Sequence, residues 1–203
     1  MKTQLSEEKI AQSFAQYEGV LTSKQLTELG MSKSQLKQLI AEEKIDVLKR
    51  GWYQWEHYFP ASDYHLLQRL IPDGVVCFYS ACDYYELTNY TPNKLHVAVL
   101  SNKKVTLPKY PPIQVHYWQG KNAEVGLTEV EIEGKKVRIY DLERCVCDII
   151  RMRHKTDIEE LYHVIQSYVK RKDRNLHNLG TYAKIFHIDK IVDIYIGILL
   201  YSS

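Results

Sequence analysis

Between residues 21 and 55 the hydrophobic positions follow two periods in turn, first helical and then strand-like. Leu36, Leu39 and Ile40 fall at i, i+3 and i+4, the spacing of one buried helix face. At about 100° per residue this turns Ser34, Gln38 and Ala41 to the opposite face, with Lys37 flanking. Thr22 with Gln25 and Ser32 with Gln35 each have the spacing of a capping box, so two helix starts are marked. Gly30, after Leu29, supplies the left-handed residue that ends the first helix. Residues 45–48 and 52–55 then read as two strands turned at Lys49-Arg50-Gly51. Two capped helices, a tight turn and a β-hairpin predict a winged helix-turn-helix.

The flanking pattern extends this expectation. Ser6 before Glu7 and Glu8 opens a helix carrying Ile10, Phe14 and Tyr17; Gly19 ends it and Val20-Leu21 leads into the central pair. Residues 56–62, with Pro60, read as a domain boundary. Beyond it, residues 63–70 form a helix stopped by Pro72-Asp73-Gly74, and the apolar run 75–79 suits either a buried strand or a helix lead-in. Ser80 with Asp83 caps a helix to Leu87. Residues 95–100, 113–118, 124–132 and 136–140 have strand character and imply a small, largely antiparallel sheet. Asp141 caps a helix striped by Leu142, Cys145, Val146, Ile149 and Ile150, and Thr156 with Glu159 starts another. Residues 176–200 make two more helical segments parted near His187. The expected architecture is α+β: a DNA-binding domain over residues 1–58, then a larger α+β domain over residues 62–203 with its helices gathered at the C-terminal end.

Charge modifies the picture. The 203 residues carry a formal net charge of +2, too mild for a nonspecific nucleic-acid coat. Up to Tyr58, eight Lys and Arg face eight Asp and Glu, so DNA binding there needs local clustering or help from elsewhere. Ser34, Lys37 and Gln38 would meet base edges and phosphates, and Lys49 and Arg50 would sit at the wing tip beside the backbone. Two basic runs at helix ends, Arg151, Arg153, Lys155 and Lys170, Arg171, Lys172, Arg174, read either as solvated helix ends that favour the helix dipole or as one second DNA-contact surface that extends the footprint.

Other chemistry is sparse. The spacings of Cys77, Cys82, Cys145 and Cys147 do not match a zinc site, so these read as small buried residues and neither metal nor cofactor is expected. Asp73 with Glu133 and Lys135 imitates a nuclease set, but Gly134 puts Lys135 in a turn. No Gly-Ser pair precedes paired carboxylates as a nucleotidyltransferase would need, and His154, His163, His177 and His187 pair with no nucleophile. No catalytic residue is assigned. The apolar run 191–201 is broken by Asp193 and Gly197, falls short of the ~20 residues of a membrane span, and reads as core, with a partner-facing helix as the alternative. With no charged-then-apolar leader, a cytoplasmic protein is expected.

The chain resembles the AbiEi-type antitoxins of type IV toxin–antitoxin systems, which act in abortive phage resistance. The resemblance rests on GVLTSKQLTELGMSKSQLKQLIAEEKIDVLKRGWY in the first half. In the second it rests on FYSACDYYELTNYTP, LHVAVL and VRIYDLERCVCDIIR, where Cys145-Val146-Cys147-Asp148 stands in place of a Thr, Val or Ala, Asp pattern. It implies a protein that binds operator inverted repeats in double-stranded DNA and represses its own operon. It also implies opposition to a cognate nucleotidyltransferase toxin without a stable complex. It carries DNA contact to Lys33, Ser34, Lys37 and Gln38 and to Lys49 and Arg50. The alternative is a one-component transcriptional regulator whose second domain binds a small molecule.

Overall fold

The structure is a computed structural model that describes residues 5–56, 58, 60 and 62–201. It is α+β, with a small antiparallel sheet, a larger mixed sheet and flanking helices. The expected boundary at residues 56–62 falls partly on residues 57, 59 and 61, which lie outside the described residues.

Helix α1 (Glu7–Gln16) is capped by Ser6, whose hydroxyl accepts from the Lys9 amide, and turns out of the helix through the left-handed Glu18 and Gly19. Val20 and Leu21 then belong to a strand, β1 (Val20–Thr22), rather than serving only as a lead-in. It pairs antiparallel with a partner thirty residues on, and such pairing leaves no local period to read. Helix α2 (Ser23–Glu28) starts on a complete capping box: Thr22 accepts from the Gln25 amide, and Gln25 returns a bond to the Thr22 N–H at 2.8 Å. Gly30, at φ +90°, ends the first helix of the pair. In helix α3 (Lys33–Ala41) only half of the expected box forms. Ser32 accepts from the Gln35 amide, but the Gln35 side chain is buried and donates to the Leu5 carbonyl at 2.6 Å. Strands β2 (Ile45–Lys49) and β3 (Trp52–Trp55) form a hairpin, giving the sheet order β1-β3-β2. Ile10, Phe14, Leu21, Leu26, Met31, Leu39 and Ile45 close the core beneath it.

The second sheet departs from the largely antiparallel expectation. Its order is β6-β5-β4-β8-β7, from β4 (Val75–Val76), β5 (Leu95–Leu100), β6 (Ile113–Trp118), β7 (Leu127–Ile132) and β8 (Lys135–Tyr140). The pairs β4–β8 and β5–β6 are parallel, and β4–β5 and β7–β8 antiparallel. Strand character names the strands but not their neighbours. Helix α4 (Asp63–Leu70) precedes β4, and α5 (Phe78–Tyr84) leaves β4 at once, so the run 75–79 is strand first and helix after. Ser80 is inside α5 instead of capping it, and its hydroxyl accepts from the His96 amide at 2.8 Å.

Helix α6 (Leu142–Arg151) is capped by Asp141 as expected, whereas α7 (Ile158–Lys170) is capped by Asp157 rather than Thr156. The Thr156 hydroxyl is committed to the Met152 carbonyl. Helices α8 (Leu176–Ile185) and α9 (Asp189–Tyr201) are parted at the left-handed His187. The core reading of residues 191–201 holds for one face of α9: Val192 and Ile196 are buried, but Ile194 is 59% exposed. All four cysteines are buried and unpaired.

Candidate nucleic-acid interface

The outward face of α3 is built by its own burial. Gln35 and Leu39 lie inward, and Lys33, Ser34, Lys37, Gln38 and Ala41 are all exposed. At 100° per residue those five positions fall within roughly 140° of arc, one continuous strip. Lys33 and Lys37 have no acidic partner among the described residues, and the strip meets no acid before Glu42. Glu42 closes its end: Gln38 donates to it at 2.8 Å and Lys44 pairs with it at 3.1 Å, and these two bonds hold its carboxyl below the usual range. Ser34 shares a hydroxyl bond with Ser32 at 2.9 Å.

The hairpin separates the two cations expected at its tip. Arg50 is exposed beside Gly51, which turns at φ +80°. Lys49 is not beside it. The β2–β3 register shifts between Val47 and Lys49, an irregularity of the kind that re-aims a side chain. The Lys49 ammonium donates to the Leu70 carbonyl at 2.6 Å and lies 5.4 Å from the Trp52 ring centre. Burial there pulls its pKa down, so Lys49 is a fastener between the hairpin and α4, not a free phosphate contact.

The two distal basic runs stand at opposite ends of one helix. Arg151, Arg153 and Lys155 precede α7, and Lys170, Arg171, Lys172 and Arg174 follow it, about 20 Å apart along that helix. Several are also occupied. Arg151 donates to Asp148 at 3.0 Å, Arg153 to the Ile150 carbonyl, Arg171 to Asp173 and the Tyr85 carbonyl, and Arg174 to the Arg171 carbonyl. Lys155, Lys170 and Lys172 remain exposed at the surface. The imitation nuclease set is likewise dispersed: Asp73 pairs with Lys103 at 2.8 Å and Lys135 with Glu18.

Two arrangements escaped the sequence reading. Arg144, fully buried, bonds Asp148 at 2.9 Å and the carbonyls of Asn122 and Val125, enclosed by the rings of Tyr140, Phe186 and Trp118. Its four-residue spacing to Asp148 was the available signal. His96 and His116 stand 2.9 Å apart on neighbouring strands, and nothing in one-dimensional spacing could join them.

By class, then, this is an α+β protein with a capped helix pair and hairpin at one end and a five-stranded mixed sheet behind. No family model and no curated protein matches the chain. Among solved structures, it is similar to the crystal structure of RV2827C protein from Mycobacterium tuberculosis, at 12% identity and a TM-score of 0.65. The match covers 91% of this chain and 73% of that one, and the likeness is one of fold. No helix among the described residues is long and apolar enough to cross a membrane.

Proposed function

We propose that the chain is a DNA-binding repressor whose N-terminal winged helix-turn-helix enters the major groove through α3, and that it serves as the antitoxin of a type IV system. The observation that carries the DNA reading is the exposed strip of α3, where Lys33, Ser34, Lys37 and Gln38 lie together with both lysines unpaired by acids among the described residues. Gln38 suits an adenine edge and the lysines suit guanine or phosphate. Arg50 would add a backbone contact from the hairpin. Operator inverted repeats would engage two copies, one per half-site. The antitoxin half of the reading is supported by the resemblance to AbiEi-type antitoxins in both halves of the sequence. It implies a cognate nucleotidyltransferase toxin opposed without a stable complex. A toxin gene immediately downstream is the cheap check on it.

The test is a mobility-shift titration on the DNA just upstream of the gene, repeated across salt. Changing Lys33, Lys37 and Arg50 together to Ala should abolish the specific shift. Changed singly, each should lower the slope of log affinity against log salt by about 0.9, the value of one neutralised phosphate. Lys49→Ala should leave that slope unchanged, because its ammonium is bound to Leu70. No specific shift by the folded natural chain at low salt would end the proposal.

A further inference from the structure

We propose that the cleft beside β6 binds a nucleotide, a flat base carrying a phosphate. This inference does not depend on the DNA-binding reading, which rests on α3.

The site starts from strand alternation. Gln114, His116 and Trp118 occupy alternate positions of β6 and therefore share one face, and His96 reaches them from β5, its ring nitrogen Nδ1 2.9 Å from His116 Nε2. Three rings follow one another in nearly parallel planes. His96 and His116 are 5.1 Å apart at 26°, and His116 and Trp118 are 6.3 Å apart at 21°. Phe78 packs beside the first two rings, 5.4 Å from His96 and 5.2 Å from His116. With Tyr79, Met152 and Lys155 these residues line a cavity of about 490 Å³, within the size range of small-molecule sites.

The histidine pair leaves two polar nitrogens, one at each end, for a ligand. One proton lies between Nδ1 of His96 and Nε2 of His116, so one ring donates and the other accepts. In two neutral imidazoles the remaining nitrogens, His96 Nε2 and His116 Nδ1, must then comprise one donor and one acceptor, whichever ring gives the proton. Neither remaining nitrogen has a hydrogen-bond partner among the described residues, and neither is among the fully buried unpartnered atoms. Burial pushes His96 down to about 4 and lowers His116, which keeps both rings neutral near pH 7.

Charge selects the rest of the ligand. Lys155 is the one formally charged side chain lining the cleft among the described residues; it is exposed and has no acidic partner among them. None of the described carboxylates lines the cavity, so an anion is favoured over a cation. Phe78 adds a structural cost at this site. It is a bulky residue at φ +50°, held in the left-handed region where β4 passes into α5, and such strain concentrates at ligand sites. The strained backbone places its ring against both imidazoles.

The same chemistry is offered by a free mononucleotide and by an unpaired base of a single strand, and calorimetric titration of the full chain at pH 7.5 separates them. The probes are AMP, GMP, CMP and UMP, a four-nucleotide single strand, and ribose 5-phosphate as the phosphate without a base. At least one mononucleotide should bind, while ribose 5-phosphate should not. Binding of the strand alone would retain the site and assign it to strand ends. His116→Ala should weaken binding about tenfold or more, the usual effect of removing a stacking ring. Lys155→Ala alters only an exposed side chain, so the protein should stay folded, and it should weaken the nucleotide but not the matching nucleoside. No binding of any nucleotide or strand at millimolar concentration by the folded natural chain would overturn the proposal. So would equal binding of ribose 5-phosphate, or undiminished affinity in folded Lys155→Ala.

Discussion

Replacing Asp148 with Asn should unseat the buried centre of the larger core. Asp148 is fully buried and accepts from Arg144 Nε at 2.9 Å and Arg151 Nη1 at 3.0 Å. Asn keeps the shape but turns one acceptor into an NH2 that faces a guanidinium donor. Arg144 keeps its bonds to the Asn122 and Val125 carbonyls and its three aromatic neighbours, but loses the charge that neutralises it. Removing one partner of a buried pair costs about 3–5 kcal/mol. For a chain of this size each kcal/mol lowers Tm by roughly 2–4 °C, so a drop of about 10 °C is expected by calorimetry or circular dichroism. Arg144→Met should be comparably damaging, because it leaves Asp148 with Arg151 alone and takes the donor from the Asn122 and Val125 carbonyls. The double variant Arg144→Met with Asp148→Leu should lose clearly less than the sum, since no buried charge is orphaned at that pair. A shift below about 2 °C in Asp148→Asn, or strict additivity in the double, would refute the view that the pair acts as a unit. The consequence reaches the cleft, because the Arg144 and Arg151 guanidiniums lie 5.4 and 5.0 Å from the ring centre of Trp118, which lines it.

Two further outcomes follow from named residues. His96, lowered by burial from 6.5 to about 4 with His116 and Lys94 acting in the same sense, binds fewer protons folded than unfolded between those values. Stability should therefore fall as pH drops from 6.5 towards 4, and His96→Gln should flatten that part of a urea-midpoint profile; parallel profiles for the two proteins would count against it. Gly126→Ala should cost several times more stability than Gly134→Ala, although both glycines are left-handed, at φ +71° and +77°. An added Cβ at 126 would lie 2.6 Å from Arg144 Cβ, and at 134 it would meet nothing within 4 Å, so equal Tm shifts would contradict the packing around Arg144.

What the sequence disclosed was local, and what it concealed was pairing. The caps at Ser6, Thr22, Ser32 and Asp141 were legible because each bond spans three residues. The strands β2, β3, β5, β6 and β8 were legible from composition and turn residues, within a residue or so of their ends. Strand β1 is only three residues long and both Val20 and Leu21 are buried, so it has no alternation to read. The parallel pairs β5–β6 and β4–β8 depend on connections far longer than any turn motif. The same limit hid the histidine pair, formed by residues twenty apart in sequence. It also hid the fate of Lys49, whose partner is a carbonyl twenty-one residues away.

The even charge balance of the first 58 residues becomes intelligible once those distant partners are known. Lys44 is neutralised by Glu7 at 2.6 Å and by Glu42, Lys24 stands 3.8 Å from Glu28, and Lys49 is spent on Leu70. Lys33, Lys37 and Arg50, and Lys9 on α1, are left facing solvent without acidic partners among the described residues. The end of α4 fastens the first sheet from two directions: Arg69 donates to the carbonyls of Tyr17 and Val20, and Leu70 receives Lys49. Charge-assisted bonds of this kind are about twice as strong as neutral ones, and the Lys109 amide adds a neutral bond to the Leu48 carbonyl at 2.7 Å. Val20 and Leu48 are correspondingly buried in the core of the second sheet. Apart from the acid-paired Lys24 and Lys44, the cations here thus divide by their surroundings. Those near α4 join the helix pair to the sheet behind it, and those on α3 and the hairpin turn stay exposed to solvent. A net charge counted over the segment averages across that division, which is why it understates the positive character of the α3 strip.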